Sequence, residues 1–156
     1  MTEWIRYTLP AAAIITAASP AYAVRYLSIE EAQQQAFPQA HFTEVQAGRV
    51  WKAEAGGKVA GLFVFDRVIG KHLYIDYAVA LTPGGAVHKV EILEYRESYG
   101  GDVRSASWLS QFNGKTSASA LKINGDIRNI SGATLSSTHI TEGVKRILAT
   151  YGGRLK

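Results

Sequence analysis

Ser131-Gly132-Ala133-Thr134 sets two hydroxyls and a glycine directly before an amphipathic run, residues 135–151. At the start of a helix the first N–H groups lack intrahelical acceptors and the macrodipole is positive, so such a turn attracts phosphate. A threonine hydroxyl at that place can be esterified by one. Each free N–H there stabilises a negative charge by a few tenths to about 1 kcal/mol in partly exposed geometry. Gly132 permits close backbone approach and Ala133 leaves the acceptor uncluttered. The motif contains no base, and a threonine hydroxyl is a weak nucleophile without one, so esterification at Thr134 calls for a separate enzyme. The same four residues also read as an ordinary helix N-cap supplied by Ser131.

The helix that would present the turn is well marked. Ala133, Ser137, Ile140, Val144, Ile147, Leu148 and Tyr151 fall on one face, Lys145 and Arg146 lie toward its C-terminal half, and Gly152-Gly153 ends it. Upstream, residues 45–53, 59–69 and 73–81 are rich in β-formers, with Gly56-Gly57 between the first two and Ile75, Tyr77, Val79 and Leu81 alternating along the third. Pro83-Gly84-Gly85 turns the chain into a further strand carrying Val87, Val90, Ile92, Leu93 and Tyr95. Consecutive strands joined by glycine-rich turns predict an antiparallel meander. Ser28-Ile29-Glu30-Glu31 has capping-box spacing and predicts a helix through Phe37, stopped by Pro38. Trp108, Leu109 and Phe112 are spaced for a short helical turn against the sheet, ended by Gly114, and Asn124-Gly125 marks a turn. The expected fold is α+β, one domain with an antiparallel sheet flanked by helices.

Composition narrows the function. The chain has 156 residues, 47% hydrophobic, enough for one core. Arg6, the apolar stretch 9–18 and Ala21-Tyr22-Ala23 read as an export signal over 1–23, cleaved near Val24 or kept as an anchor. With no cysteine, disulfides, thiolate nucleophiles and iron–sulfur clusters are excluded. A net charge of +4 without a basic block gives no support for nucleic-acid binding. His41, His72, His88 and His139 show no metal-ligand spacing, and Asp66, Asp76 and Glu91 sit on predicted strands with nothing local to pair them as acid and base.

Two further segments complete a pattern: Glu94-Tyr95-Arg96-Glu97-Ser98-Tyr99-Gly100-Gly101, then Ser110-Gln111-Phe112-Asn113-Gly114-Lys115, both upstream of Ser131-Gly132-Ala133-Thr134-Leu135-Ser136-Ser137. In this order the chain resembles the FMN-binding domain family, which includes periplasmic subunits of the sodium-pumping quinone reductase and of Rnf-type complexes. The resemblance covers 24–156 and implies that Thr134, the last residue of a Ser/Thr-Gly-Ala-Thr motif, carries FMN through a phosphoester, with Ser131, Gly132, Ala133 and Leu135 around it. It matches Glu97, Ser98, Tyr99 and Gly100 to a Glu-Thr-Pro-Gly stretch, and Lys115 to the lysine of a Phe-x-Gly-Lys segment, a partner for the reduced ring or the phosphate. Tyr99 stands where the family has proline, Ser98 where it has threonine, and Arg128 where it has an aspartate; Asp126 lies two residues earlier.

What the resemblance implies is a covalent flavoprotein outside the cytoplasm, periplasmic and membrane-associated. A Mg-dependent flavin transferase would mature it with FAD as donor and AMP as product. It would pass electrons between partners such as a membrane redox protein or a quinone-linked complex. A tether prevents loss of the flavin where no pool replaces it. The implied role is electron carrier more than stand-alone enzyme. Two rivals stay open: a reductase acting directly on a small acceptor, against which the chain has no dinucleotide-binding glycine fingerprint, and a secreted structural or binding module without flavin. Glu97 and Lys115 also read as surface charges, and Trp108, Tyr99 and Phe112 as core packing instead of ring contacts.

Overall fold

A computed structural model describes residues 24–153, so the expected export segment at 1–23 lies outside the described residues. The strands are β1 (Val24–Arg25), β2 (His41–Gln46), β3 (Val50–Ala55), β4 (Lys58–Ile69), β5 (Tyr74–Leu81) and β6 (Val87–Tyr95). They form one antiparallel sheet in the order β1-β6-β5-β4-β3-β2. From β2 to β6 each strand pairs with the next, as the expected meander requires.

The helices follow their local signals. Ser28 caps α1 (Ile29–Ala36) with a complete capping box: its hydroxyl accepts from Glu31 N–H while Glu31 accepts from Ser28 N–H at 2.7 Å. α2 (Ala106–Leu109) continues into a 3-10 turn at Ser110–Phe112, burying Trp108, Leu109 and Phe112. α3 (Thr134–Tyr151) ends at Gly152.

One expectation is corrected. The run 45–53 is not a single strand: β2 ends at Gln46, the chain reverses, and β3 begins at Val50. Gly48 takes φ +62°, and its N–H is accepted by the Glu44 carboxylate, which closes the turn. β2 is an edge strand with five of its six residues exposed, so no buried alternation announces it.

Both faces of the sheet are covered. Ile75, Tyr77, Val79 and Leu81 of β5 join Ile140, Val144, Ile147 and Leu148 of α3 in one cluster. On the opposite face Phe63, Ala78, Ala80 and Leu93 join Ala32, Ala36 and Phe37 from α1. Small residues on this second face let α1 lie close.

Within this sheet, two buried aspartates are each held by two arginines. Asp66 accepts from Arg49 (2.9 Å), Arg146 (2.7 Å) and the Tyr77 hydroxyl (2.9 Å). Asp76 accepts two bonds from Arg96, at 3.0 and 2.9 Å, and two from Arg67. Burial alone raises each carboxyl's pKa, but the guanidinium hydrogen bonds outweigh it and both end below the usual 3.8. A depressed folded pKa means that the unfolded chain takes up protons first as the medium is acidified. The stability is therefore complete above the unfolded value and drains away as pH falls through the folded one. The domain is expected to lose stability steeply below about pH 4. In Asp76→Asn that acid slope is shallower, and stability at neutral pH drops by about 1–3 kcal/mol, toward the lower end because the Arg67 side chain is half in water. Urea melts between pH 3 and 7 measure both, and an unchanged slope in the variant excludes Asp76 as a contributor.

Candidate functional site

The start of α3 is built without a side-chain cap. Ala133 is the N-cap residue, with no side-chain hydrogen bond to the helix start, and Ser131 is exposed one residue before Gly132. The ordinary N-cap reading of Ser131 is thereby corrected. The reason is geometric: Gly132 sits at φ +80°, and Ala133 N–H turns back to the Ile130 carbonyl at 3.0 Å, so Ser131 lies outside reach of the first turn. The first intrahelical bond runs from Ser137 N–H to the Ala133 carbonyl (2.9 Å), which leaves the amides of Thr134, Leu135 and Ser136 at the helix mouth without helical acceptors.

Thr134 is the first residue of the helix and its side chain is exposed. Its Oγ1 accepts from Asn129 Nδ2 at 3.1 Å, and Asn129 Oδ1 in turn accepts from the Ser137 hydroxyl at 3.0 Å. Above this start opens a cleft of about 550 Å³ lined by three segments: Lys71 and His72 from the β4–β5 turn, Glu97 to Tyr99 after β6, and Gly132 to Ser136. That volume suits a small organic ligand.

Each wall has an identifiable support. The Glu97 carboxylate accepts from the N–H of Leu73 at 2.8 Å and from that of His72, which clamps the β4–β5 turn to the segment after β6. Burial pushes the Glu97 pKa up, yet the N–H groups of Leu73, His72 and Lys71 more than offset it, and Glu97 stays ionised to lower pH than usual. Gly70 leaves room beneath it: a Cβ there would stand 2.9 Å from the Glu97 side chain, which would have to shift. From the other side, the His139 Nδ1 of α3 meets the Ile69 carbonyl at 2.7 Å. Buried Tyr95 joins the remaining pair: its hydroxyl donates to the Tyr99 carbonyl and lies 3.2 Å from Ser136 Oγ.

The structure thus gathers Thr134, Gly132, Ala133, Leu135, Glu97, Ser98 and Tyr99 on one cleft. Gly100 stands behind it, where an added Cβ would be 3.2 Å from that of Ala133. Ser131 is on the same turn but off the lining, and Lys115 is elsewhere, paired with Asp126 at 3.2 Å. Asp126 also accepts from Leu121 and Lys122 N–H, contacts that hold its pKa down to about 2. At position 128 the backbone is engaged: Arg128 N–H donates to Gln111 and its carbonyl accepts from Trp108 Nε1 at 2.7 Å. Trp108 and Phe112 pack edge to face in the core, whereas Tyr99 is 86% exposed at the cleft.

Lys71, His72, Ser136 and Asn129 are additions that sequence reasoning missed. Nothing local marks the first two, since only the pairing of β4 with β5 and of β5 with β6 brings residues 71 and 72 beside 97–99. Chemically the cleft combines uncapped helix amides with the exposed Thr134 hydroxyl among them, the exposed hydroxyls of Ser98 and Tyr99, the cationic side chain of Lys71 and one carboxylate already occupied by backbone donors. Exposed Leu135 and Tyr99 supply apolar surface, and an added Cβ at Gly132 would meet nothing within 4 Å. These groups fit an esterified phosphate joined to a flat, largely apolar body.

Residues 70–149 match the FMN-binding domain family model, a span that runs from the β4–β5 turn nearly to the end of α3 and includes every residue lining the cleft. No curated protein matches the chain. Among solved structures, the crystal structure of Shewanella oneidensis NqrC is similar at 22% identity with a TM-score of 0.48, over 68% of this chain. The chain spans 55% of that one.

Proposed function

This chain belongs to the FMN-binding domain family, and on that premise we propose that it is an electron-transfer domain holding FMN covalently through a phosphoester on Thr134. The observation that carries this reading is the exposed Thr134 hydroxyl at an uncapped helix start, opening on a cleft with room beside Gly132. When bound, FMN supplies transfer of one electron at a time or two together.

The protein's part is to hold and to tune. The amides of Thr134, Leu135 and Ser136 would bind the phosphodiester oxygens, with Lys71 offsetting their charge. Tyr99 and Leu135 would cover apolar surface of the ring, and Glu97 would act through the turn it clamps, keeping Lys71 and His72 in place. Ser98, Gly100 and Ser131 complete the two chain segments that approach each other here. Because the only side chain bonded to the Thr134 hydroxyl is the Asn129 amide, which is no base, a flavin transferase is the expected maturation partner.

The setting we propose is extracytoplasmic, with residues 1–23 as export signal, and the electron partners a membrane redox protein or quinone-linked complex. Among the described residues no helix is long and apolar enough to cross a membrane. The test is co-production with a flavin transferase and mass analysis of the peptide containing Thr134. An FMN-sized increment, with yellow colour that survives denaturation, supports the carrier; a chain that stays colourless and unmodified overturns it. Turnover of NADH with a soluble acceptor by the flavinylated domain alone favours the reductase instead.

A further inference from the structure

We infer that Asn129 is a positioning residue for flavinylation, an amide that fixes the Thr134 hydroxyl in the orientation from which it is esterified. The inference rests on the reading of Thr134 as the attachment point. Its own basis is a chain of three side chains. Ser137, fully buried, donates to Asn129 Oδ1 at 3.0 Å; Asn129 Nδ2 donates to Thr134 Oγ1 at 3.1 Å. The single proton of the Ser137 hydroxyl is shared between Asn129 Oδ1 and the carbonyls of Ala133 (2.9 Å) and Thr134 (3.1 Å), so the anchor of the relay is built into the first turn of α3. Asn129 is half-buried, and the neighbouring Arg128 backbone is held by Gln111 and Trp108. An amide anchored at both ends selects one rotamer of an otherwise exposed threonine.

The chemistry explains why the direction of that bond matters. In the transfer, Thr134 Oγ1 forms a bond to the flavin-side phosphorus of a flavin dinucleotide, and the bond from that phosphorus to the bridging oxygen breaks. The bridging oxygen departs with adenosine monophosphate, and the hydroxyl proton leaves to a base on the transferase; no electrons change hands between the groups. For this, Oγ1 must keep one lone pair for phosphorus and its proton free for removal. A donor at Oγ1 occupies the other lone pair and leaves both available. An acceptor in its place would bind the proton instead. Fixing the nucleophile in a near-attack orientation is worth an order of magnitude or more in rate.

Asn129→Leu keeps the side-chain volume and removes both hydrogen bonds. With purified transferase, FAD and the unmodified domain as protein substrate, the variant is expected to show kcat about tenfold lower and KM within twofold of wild type. In the same unmodified protein, scalar couplings across the Thr134 Cα–Cβ bond are expected to report one rotamer in wild type and averaging in Asn129→Leu. Ser137→Ala, which frees the far end of the amide, is expected to lie between them. An unchanged kcat, a loss confined to KM, or a Thr134 rotamer as fixed in the variant as in wild type overturns the positioning role. Those outcomes are separate from failure of the attachment reading, in which wild type itself takes up no flavin although its Thr134 couplings still report on Asn129.

Discussion

Thr134→Val is expected to give a folded protein that remains colourless when produced beside an active transferase, with covalent flavin reduced at least a hundredfold. Valine has nearly the shape of threonine and the same branching at Cβ, so the first residue of α3 keeps its backbone preference. The stability cost is confined to the bond from Asn129, about 0.5–1 kcal/mol at so exposed a site. Of the hydroxyls nearby, Ser136 and Ser137 are buried and Ser131 lies beyond Gly132, off the cleft, while the exposed Ser98 and Tyr99 stand on the segment after β6 and not at the uncapped start of α3. Thr134→Ser keeps the oxygen but loses the methyl that restricts its rotation, so flavinylation is expected to continue several-fold more slowly. Intact mass and flavin fluorescence after denaturation read the modification, and far-UV circular dichroism the fold. If Thr134→Val carries the same increment as wild type, the phosphoester is on another residue and the assignment fails.

How far the sequence foretold this site depends on the range of the contact. α3 was legible to within a residue because its apolar period and the double glycine at 152–153 are local signals. The Ser28 capping box was legible for the same reason. In the sequence β2 runs into β3, because Val45, Val50 and Trp51 all favour strand, and an exposed edge carries no alternation to expose the turn at Gly48. Nothing local in the sequence pairs Asp66 or Asp76; their arginines come from the β2–β3 turn (Arg49), from β4 (Arg67), from just past β6 (Arg96) and from α3 (Arg146), up to 80 positions away. Glu97 stands out in the sequence only through the family resemblance. Its role in the fold, accepting N–H groups 24 and 25 positions upstream, becomes visible only once β5 returns beside β6. Asn129 lay five residues before Thr134, yet nothing in an amide's identity says which side chain it will face.

Gly143 shows the same limit with the largest consequence for stability. In the sequence it merely interrupts the apolar face of α3, and Gly143→Ala on helix propensity alone should stabilise by up to about 1 kcal/mol. In the structure, a Cβ at this position would stand 2.2 Å from the Tyr77 hydroxyl, 2.9 Å from its ring and 3.1 Å from Val68. Tyr77 cannot step aside, being fully buried and donating to Asp66, and burial, together with the Asp66 charge, raises its pKa far above that of a free tyrosine. Making room means displacing the ring, which removes a donor from a buried carboxylate, or lifting α3 from the sheet. Overpacking and the lost charged hydrogen bond together outweigh the propensity gain, for a net loss of about 2–4 kcal/mol and a fall in Tm of roughly 10 °C for a domain of this size. Tyr77→Phe on its own is expected to cost about 1–2 kcal/mol. Combined with Gly143→Ala it should cost less than the sum of the two, because the closest clashing atom is then absent. Strict additivity, or an alanine variant as stable as wild type, would show that the packing at this crossing is looser than its distances imply. The result also bears on the cleft, since the depth at which Gly143 seats α3 sets where its first residue emerges, nine residues or about 13 Å up the helix axis.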